Sequence, residues 1–205
     1  MSDRVEVASG PAYHSSPAGE GTPEQMTSDK GQIFEDMRVF AELWERELPG
    51  KDPGVFRAIG SLLRLAAMLE NEFRAYTHRR FQMHTGDMRI LLALRRAGSP
   101  FSLRPTDLFQ SLLITSGAVT KQVERLVRRG LVERIPDPQR KGSWQIHLTD
   151  AGKKVTDETV EDIYSTFNFA AAFRSLPPEE AQAGNLFLSK MIANVDAANA
   201  ENGPK

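Results

Sequence analysis

The feature of this sequence that most restricts its fold is the change of hydrophobic period at Gly130. Upstream, Val119, Val123, Leu126 and Val127 fall at i, i+4, i+7 and i+8, the apolar stripe of a helix. Downstream the period drops to two. Leu131 to Ile135 reads as a short strand, and Trp144, Ile146 and Leu148 alternate with Gln145 and His147 as a half-buried one. Gly130 supplies the left-handed position that closes a helix, Leu131 a hydrophobic contact beyond it, and Arg128 and Arg129 the cations that suit a helix C-terminus. The polar stretch 136–143 becomes the tip of a hairpin, carrying Arg140 and Lys141.

The flanks are helical. Thr85 reads as an N-cap and Asp87 as a favourable first-turn charge, ahead of a Met88, Leu91, Leu92 stripe that stops at Gly98-Ser99-Pro100. Pro105 suits the first turn of a further helix, with Leu108 and Leu112 inward and Arg104 held extended by the proline behind it. After a break at Ile114-Thr115, Ser116 reads as the cap of the helix bearing the Val119 stripe. Nearer the N-terminus, Ile33 to Leu48 has helical spacing until Pro49-Gly50, and a longer run predicts a helix from Pro53 to about His84. Roughly 30 residues make a rod of about 45 Å, longer than a domain of this mass needs for itself, which points to burial against a second subunit. One helix is expected from Thr149 through Phe173, and another from Pro177-Pro178 through Val195. Residues 1–31 contain 12 Ser, Gly and Pro and few large hydrophobes. Such a segment cannot bury enough apolar surface to offset its ordering entropy, so it reads as a disordered tail.

The expected architecture is mostly α: a winged helix-turn-helix, with an α+β hairpin, between N- and C-terminal dimerisation helices. Its parts are a tail over 1–31, N-terminal helices over 32–84, a winged-helix domain over 85–149, C-terminal helices over 150–197 and a tail over 198–205.

Composition removes several classes of chemistry. The chain has no cysteine, which excludes disulfides, thiolate zinc sites, iron–sulfur clusters and thiol nucleophiles. Its four histidines, His14, His78, His84 and His147, show no metal spacing, and no GxGxxG, P-loop, GxSxG or HExxH occurs. No enzyme, cofactor or metal is therefore expected. No apolar run reaches 18 residues and the N-terminus has no signal-like core, so the expectation is a cytoplasmic protein without a membrane segment.

The net charge is -1, so nucleic-acid affinity would have to be local. It is. Between Pro100 and Gln145 stand eight basic residues (Arg104, Lys121, Arg125, Arg128, Arg129, Arg134, Arg140, Lys141) and four acidic ones, which leaves that segment at +4 and the remainder at -5. Ser116, Thr120, Lys121 and Arg125 project away from the Val119 stripe, the first three near the helix N-terminus, where a recognition helix enters the major groove. Lys121 or Arg125 could donate to guanine O6 and N7, and Ser116 and Thr120 could meet base edges or phosphate. Arg140 and Lys141 would reach an adjacent minor groove. The competing reading is a winged-helix module that binds protein and has no DNA affinity.

Residues 85–152, with SGAVTKQVERLVRRGLVERIPDPQRKGSWQIHLTDAG as the core, resemble the MarR family of bacterial transcriptional regulators. The specific part is LVRRGLVERIPDP followed at fixed distance by LTDAG. The resemblance implies a homodimer on a pseudo-palindromic operator in double-stranded DNA, acting as a repressor that a small phenolic or aromatic-acid effector releases. The family's wing usually reads Asp-Pro-x-Asp-Arg-Arg. Here Arg140 replaces the second Asp and Gly142 the second Arg, while two positive charges survive. The region Ile33 to Leu48, with Trp44, is similar to the extra N-terminal helix of a urate-responsive branch. That branch's ligand set maps to Arg89, Gln122 and Arg134, of which only Arg134 matches, so urate is not the expected ligand. The candidate ligand set is Trp44, Arg89 and Arg134, with Arg89 pairing a ligand carboxylate. The plainer alternatives are that Trp44 is core and that Arg89 pairs an acid of the protein.

Overall fold

The computed structural model of the chain describes residues 37–201, with side chains from Glu42 onward. The tail expected over 1–31, the helix start expected at Ile33, and residues 202–205 of the expected C-terminal tail lie outside the described residues. The chain divides into two units, Met1–Leu65 and Ala66–Lys205.

In the first unit, helix α1 (Met37–Glu47) stops before Gly50, whose φ of +84° lets the chain turn, and α2 (Pro53–Phe81) begins at a proline. Trp44 stacks on Phe56, with centroids 5.1 Å apart and rings 13° from parallel. Trp44 nevertheless stays 38% exposed and is not part of the buried core.

In the second unit α2 ends at Phe81, followed by α3 (Thr85–Arg96), β1 (Ser102–Leu103), α4 (Pro105–Leu112), α5 (Ser116–Arg128), β2 (Val132–Pro136), β3 (Trp144–Leu148), α6 (Asp150–Thr166), α7 (Asn168–Ser175) and α8 (Pro178–Glu201). The strands form one antiparallel sheet in the order β1-β3-β2. Met88, Ile90, Leu91 and Leu94 of α3 meet Leu108 of α4, the Val119, Val123, Leu126 stripe of α5, and Ile146 and Leu148 of β3 in a single core. Fully burying such side chains contributes about 1.5–3 kcal/mol each, and this, more than helix propensity, holds the short α4 in place.

Several expectations need correction. His84, not Thr85, precedes α3, and its side chain makes no capping bond. Thr115, not Ser116, caps α5, its hydroxyl accepting from the Ala118 amide at 3.2 Å. Val127 falls off the stripe and is 40% exposed. The helix expected from Thr149 through Phe173 is broken at Phe167, whose backbone is extended, with φ -71° and ψ 136°. There Phe167 is buried against Phe73 and Tyr76, and the freed Asn168 amide donates to Glu72 Oε1 at 2.8 Å. Strand β1 was not foreseen, since two residues carry no period.

The LTDAG segment closes the core from behind α5. Thr149 caps α6 by accepting from the Gly152 amide, while its own hydroxyl donates to Gly130 O at 2.8 Å. Gly152 approaches so closely that a Cβ would stand 2.1 Å from Leu131 O. Tyr76 ties α2 to α6, its hydroxyl donating to Asp162 at 2.7 Å; burial, with that bond second, pushes its pKa up to about 12.

Candidate nucleic-acid interface

Helix α5 presents three faces. Its apolar face is buried, with Val119, Val123 and Leu126 all but inaccessible. Gln122, Arg125 and Arg129, the last just past the helix end, turn toward the α2–α3 corner. The third, carrying Ser116, Gly117, Thr120, Lys121, Glu124 and Arg128, is open to solvent. The helix ends as its sequence dictates: Gly130, at φ +68°, donates to Val127 O and Leu131 to Leu126 O, satisfying two terminal carbonyls.

The cations sort by partner. Arg125 donates through Nε and Nη2 to the two oxygens of Asp87, at 2.9 and 2.6 Å, and Asp87 is only 2% exposed. A guanidinium committed in this bidentate way is held in the protein, so Arg125 leaves the set of expected base readers. Arg104 donates to Asp137 at 2.6 Å and to Gln139 Oε1 at 3.1 Å. Arg129 donates to the carbonyls of Phe81 and Gln82. The side chains of Lys121, Arg128, Arg134, Arg140 and Lys141 have no hydrogen-bond or ion-pair partner among the described residues. These five are available to phosphate or base edges.

The wing takes its shape from Asp137, buried at its base. Besides Arg104, this carboxylate accepts from the Gln139 amide at 2.9 Å and from Gln145 Nε2 at 3.2 Å. The Arg104 bond, first, and the Gln139 amide hold its pKa below the ordinary 3.8, against burial, which pushes the other way. The tip closes with the Asp137 amide on Ser143 O, and Gly142 sits at φ +81°. An arginine, which the family pattern has at this position, would be strained in that conformation. Arg140 and Lys141 are exposed at the tip.

Register places Arg134 opposite Ile146 and Pro136 opposite Trp144, on the sheet face that turns toward α5. Between that face and α5 lies a cleft of about 430 Å³, lined by Pro105, Val119, Thr120, Arg134, Trp144 and Ile146 among others. Trp144, expected on the apolar face of a half-buried strand, is 54% exposed at its rim. The structure thus brings Arg134 together with Thr120, whose hydroxyl donates to Ser116 O at 3.1 Å. It does not bring Arg89 there: Arg89 pairs with Glu70 of α2. Sequence reasoning missed Asp137, Arg104, Asp87 and Trp144 as shaping residues. For Asp137 and Arg104 the available signal was a carboxylate inside the basic segment; for Asp87, which lies before that segment, there was none beyond its place in the first turn of α3.

A core of three short helices, a recognition helix with a free polar face and a cationic hairpin define a winged helix-turn-helix protein. Residues 81–141 match the MarR family. That segment is less than a third of the chain, and over it the chain is similar to MarR family regulators. It is 29% identical over 132 residues to the HTH-type transcriptional regulator PecS of Dickeya dadantii, covering 61% of this chain and 79% of that protein. Among solved structures it resembles Sco3205, a MarR family transcriptional regulator of Streptomyces coelicolor solved in complex with DNA, with TM-score 0.59 and 25% identity, covering 71% of this chain and 89% of that one. It also resembles BpsR of Bordetella bronchiseptica, whose DNA binding is regulated by 6-hydroxynicotinic acid, with TM-score 0.53 and 26% identity over 65% of this chain and 91% of that one. Among the described residues no helix is long and apolar enough to cross a membrane.

Proposed function

We propose that this chain is a dimeric, sequence-specific repressor that binds a pseudo-palindromic DNA operator in the cytoplasm and is released by a small aromatic acid. The observation that carries the reading is the sorting of cations: Lys121, Arg128, Arg140 and Lys141 stay exposed on the recognition helix and wing, while Arg104 and Arg125 are consumed in holding those elements. Ser116, Thr120 and Lys121 are the base-reading candidates, and Arg140 and Lys141 the minor-groove ones. Residues 85–149 form the DNA-binding domain, with 32–84 and 150–197 serving assembly. Dimerisation is supported by apolar side chains left in solvent on α2, such as Leu63 at 67% exposure, and on α8, such as Ile192 at 64%. The DNA complex of Sco3205 supports the DNA partner.

The effector reading rests on the cleft between α5 and the wing. It offers an aromatic wall in Trp144, a small apolar floor and one cation, Arg134, which suits a planar acid. A ligand there would press on both DNA-contacting elements at once and so bind one arrangement of them better than another. The regulation of BpsR by an aromatic acid supports that ligand class. Arg89 already shares its guanidinium with Glu70, through Nη2.

Selection of bound fragments from genomic DNA, followed by gel shifts with a panel of aromatic acids, tests the reading. Enrichment of one pseudo-palindrome, released by an acid from wild type and not from Arg134→Ala, is expected. A stable dimer without DNA affinity at low salt would instead make this a protein-binding module.

A further inference from the structure

The polar docked face of α5 meets one small target. Gln122, Arg125 and Arg129 stand at i, i+3 and i+7, and all three converge on the corner where α2 ends and α3 begins. Arg125 holds Asp87. Gln122 lies over Gly86, where an added Cβ would stand 2.5 Å from its Nε2. Arg129 spans the end of α2: Nη2 donates to Phe81 O at 2.7 Å and Nη1 to Gln82 O at 3.0 Å. Gln82 has a φ of +49°, so α2 has ended and these carbonyls have no following turn to receive.

Neither helix needs Arg129 in order to form. The end of α2 is closed by the Gln82 amide on His78 O and the Met83 amide on Thr77 O, and α5 is closed by Gly130 and Leu131. What Arg129 adds is the relation between the two. Helix α5 is 13 residues long, about 20 Å at 1.5 Å per residue, and Arg129 grips its C-terminal end. A tilt of about 5° at that grip would carry the base-reading end by roughly 1.7 Å. A hydrogen bond to a base edge tolerates only a few tenths of an ångström. One N–H on each terminal nitrogen of the guanidinium is spent on a carbonyl of the α2 end.

We infer that Arg129 is a positioning residue for DNA binding: by clamping the end of α5 to the end of α2 it sets the separation at which two recognition helices meet one duplex. This rests on the dimeric DNA-binding reading above. The test compares wild type, Arg129→Ala, Arg129→Lys and Lys121→Ala on the selected operator, on operators with the half-sites one base pair closer or farther apart, and on random duplex, each over a salt series.

Arg129→Ala is expected to lose roughly tenfold in affinity for the native separation. It should keep its affinity for random DNA and its salt slope, and no longer favour native over shifted spacing. Arg129→Lys, whose ammonium can serve one carbonyl at a time, should fall between, and it carries the comparison if the alanine protein does not fold. Lys121→Ala should weaken at every spacing and keep the wild-type spacing preference. Wild-type spacing preference in both Arg129 variants would overturn the inference. So would an equal loss on random DNA with a shallower salt slope, which would make Arg129 a phosphate contact. If wild type itself fails to separate operator from random DNA, it is the DNA-binding reading that falls.

Discussion

Asp137 carries more of the wing than any cation on it. Each of its three bonds, from Arg104, the Gln139 amide and Gln145, favours the ionised carboxylate, so its folded-state pKa lies below 3.8. The unfolded chain takes up the proton at the ordinary value. The group's stabilisation is therefore fully present above about pH 4 and is lost as pH falls through the lower, folded value. Asp137→Asn should unfold earlier than wild type at neutral pH, and the gap should close on acidification. Thermal unfolding as a function of pH checks this, and a gap independent of pH would contradict it. Arg125→Ala should cost about 2 kcal/mol of stability, below a fully buried pair because its side chain is 34% exposed. Chemical denaturation reads that loss directly. Lys121 and Thr120 were legible in the sequence, because helical spacing alone sets them off the apolar stripe. Arg125 was not, since spacing says which way a side chain leaves its helix and nothing about a carboxylate 38 positions away that comes to meet it.

At the scale of elements, the ends of α5 show what local sequence determines well and what it leaves open. Gly130 and Leu131 form the expected termination, because few chemistries close a helix that way. Thr115 and Ser116 are both good caps, and neighbouring hydroxyls cannot be ranked from residue type; packing of Ile114 against the core accompanies the choice of Thr115. Thr115→Ala should cost about 1 kcal/mol and Ser116→Ala much less, readable in a thermal-shift assay. Gly152→Ala forces a methyl into the Leu131 carbonyl, 2.1 Å away, and should destabilise by about 1–3 kcal/mol or more, whereas Gly117→Ala, with open space around it, should not. The break between α6 and α7 was illegible for a different reason. Ser165, Thr166 and Asn168 are weak helix formers, but propensity alone does not place a break; the burial of the Phe167 ring beside Tyr76 and the Glu72 acceptor come from α2, far off in sequence.

For the molecule as a whole, the charge excess of one segment has to be recounted after folding. Eight cations there suggest a strong polyelectrolyte, but three serve the protein and five remain outward, alongside acids elsewhere that bring the chain to -1. Affinity for DNA should accordingly be steeply salt-dependent while non-specific binding stays modest at physiological salt. Lys121→Ala should lower discrimination between operator and random duplex, and Arg140→Ala should weaken both alike. The most direct measurement of the central claim, that these outward cations of two protomers neutralise phosphates on one duplex, is the dependence of operator affinity on salt. The account predicts a linear fall of log K with log salt, made shallower by roughly 2 in Arg140→Ala, one contact from each protomer. A flat response in wild type, or a slope that Arg140→Ala leaves unchanged, would contradict it.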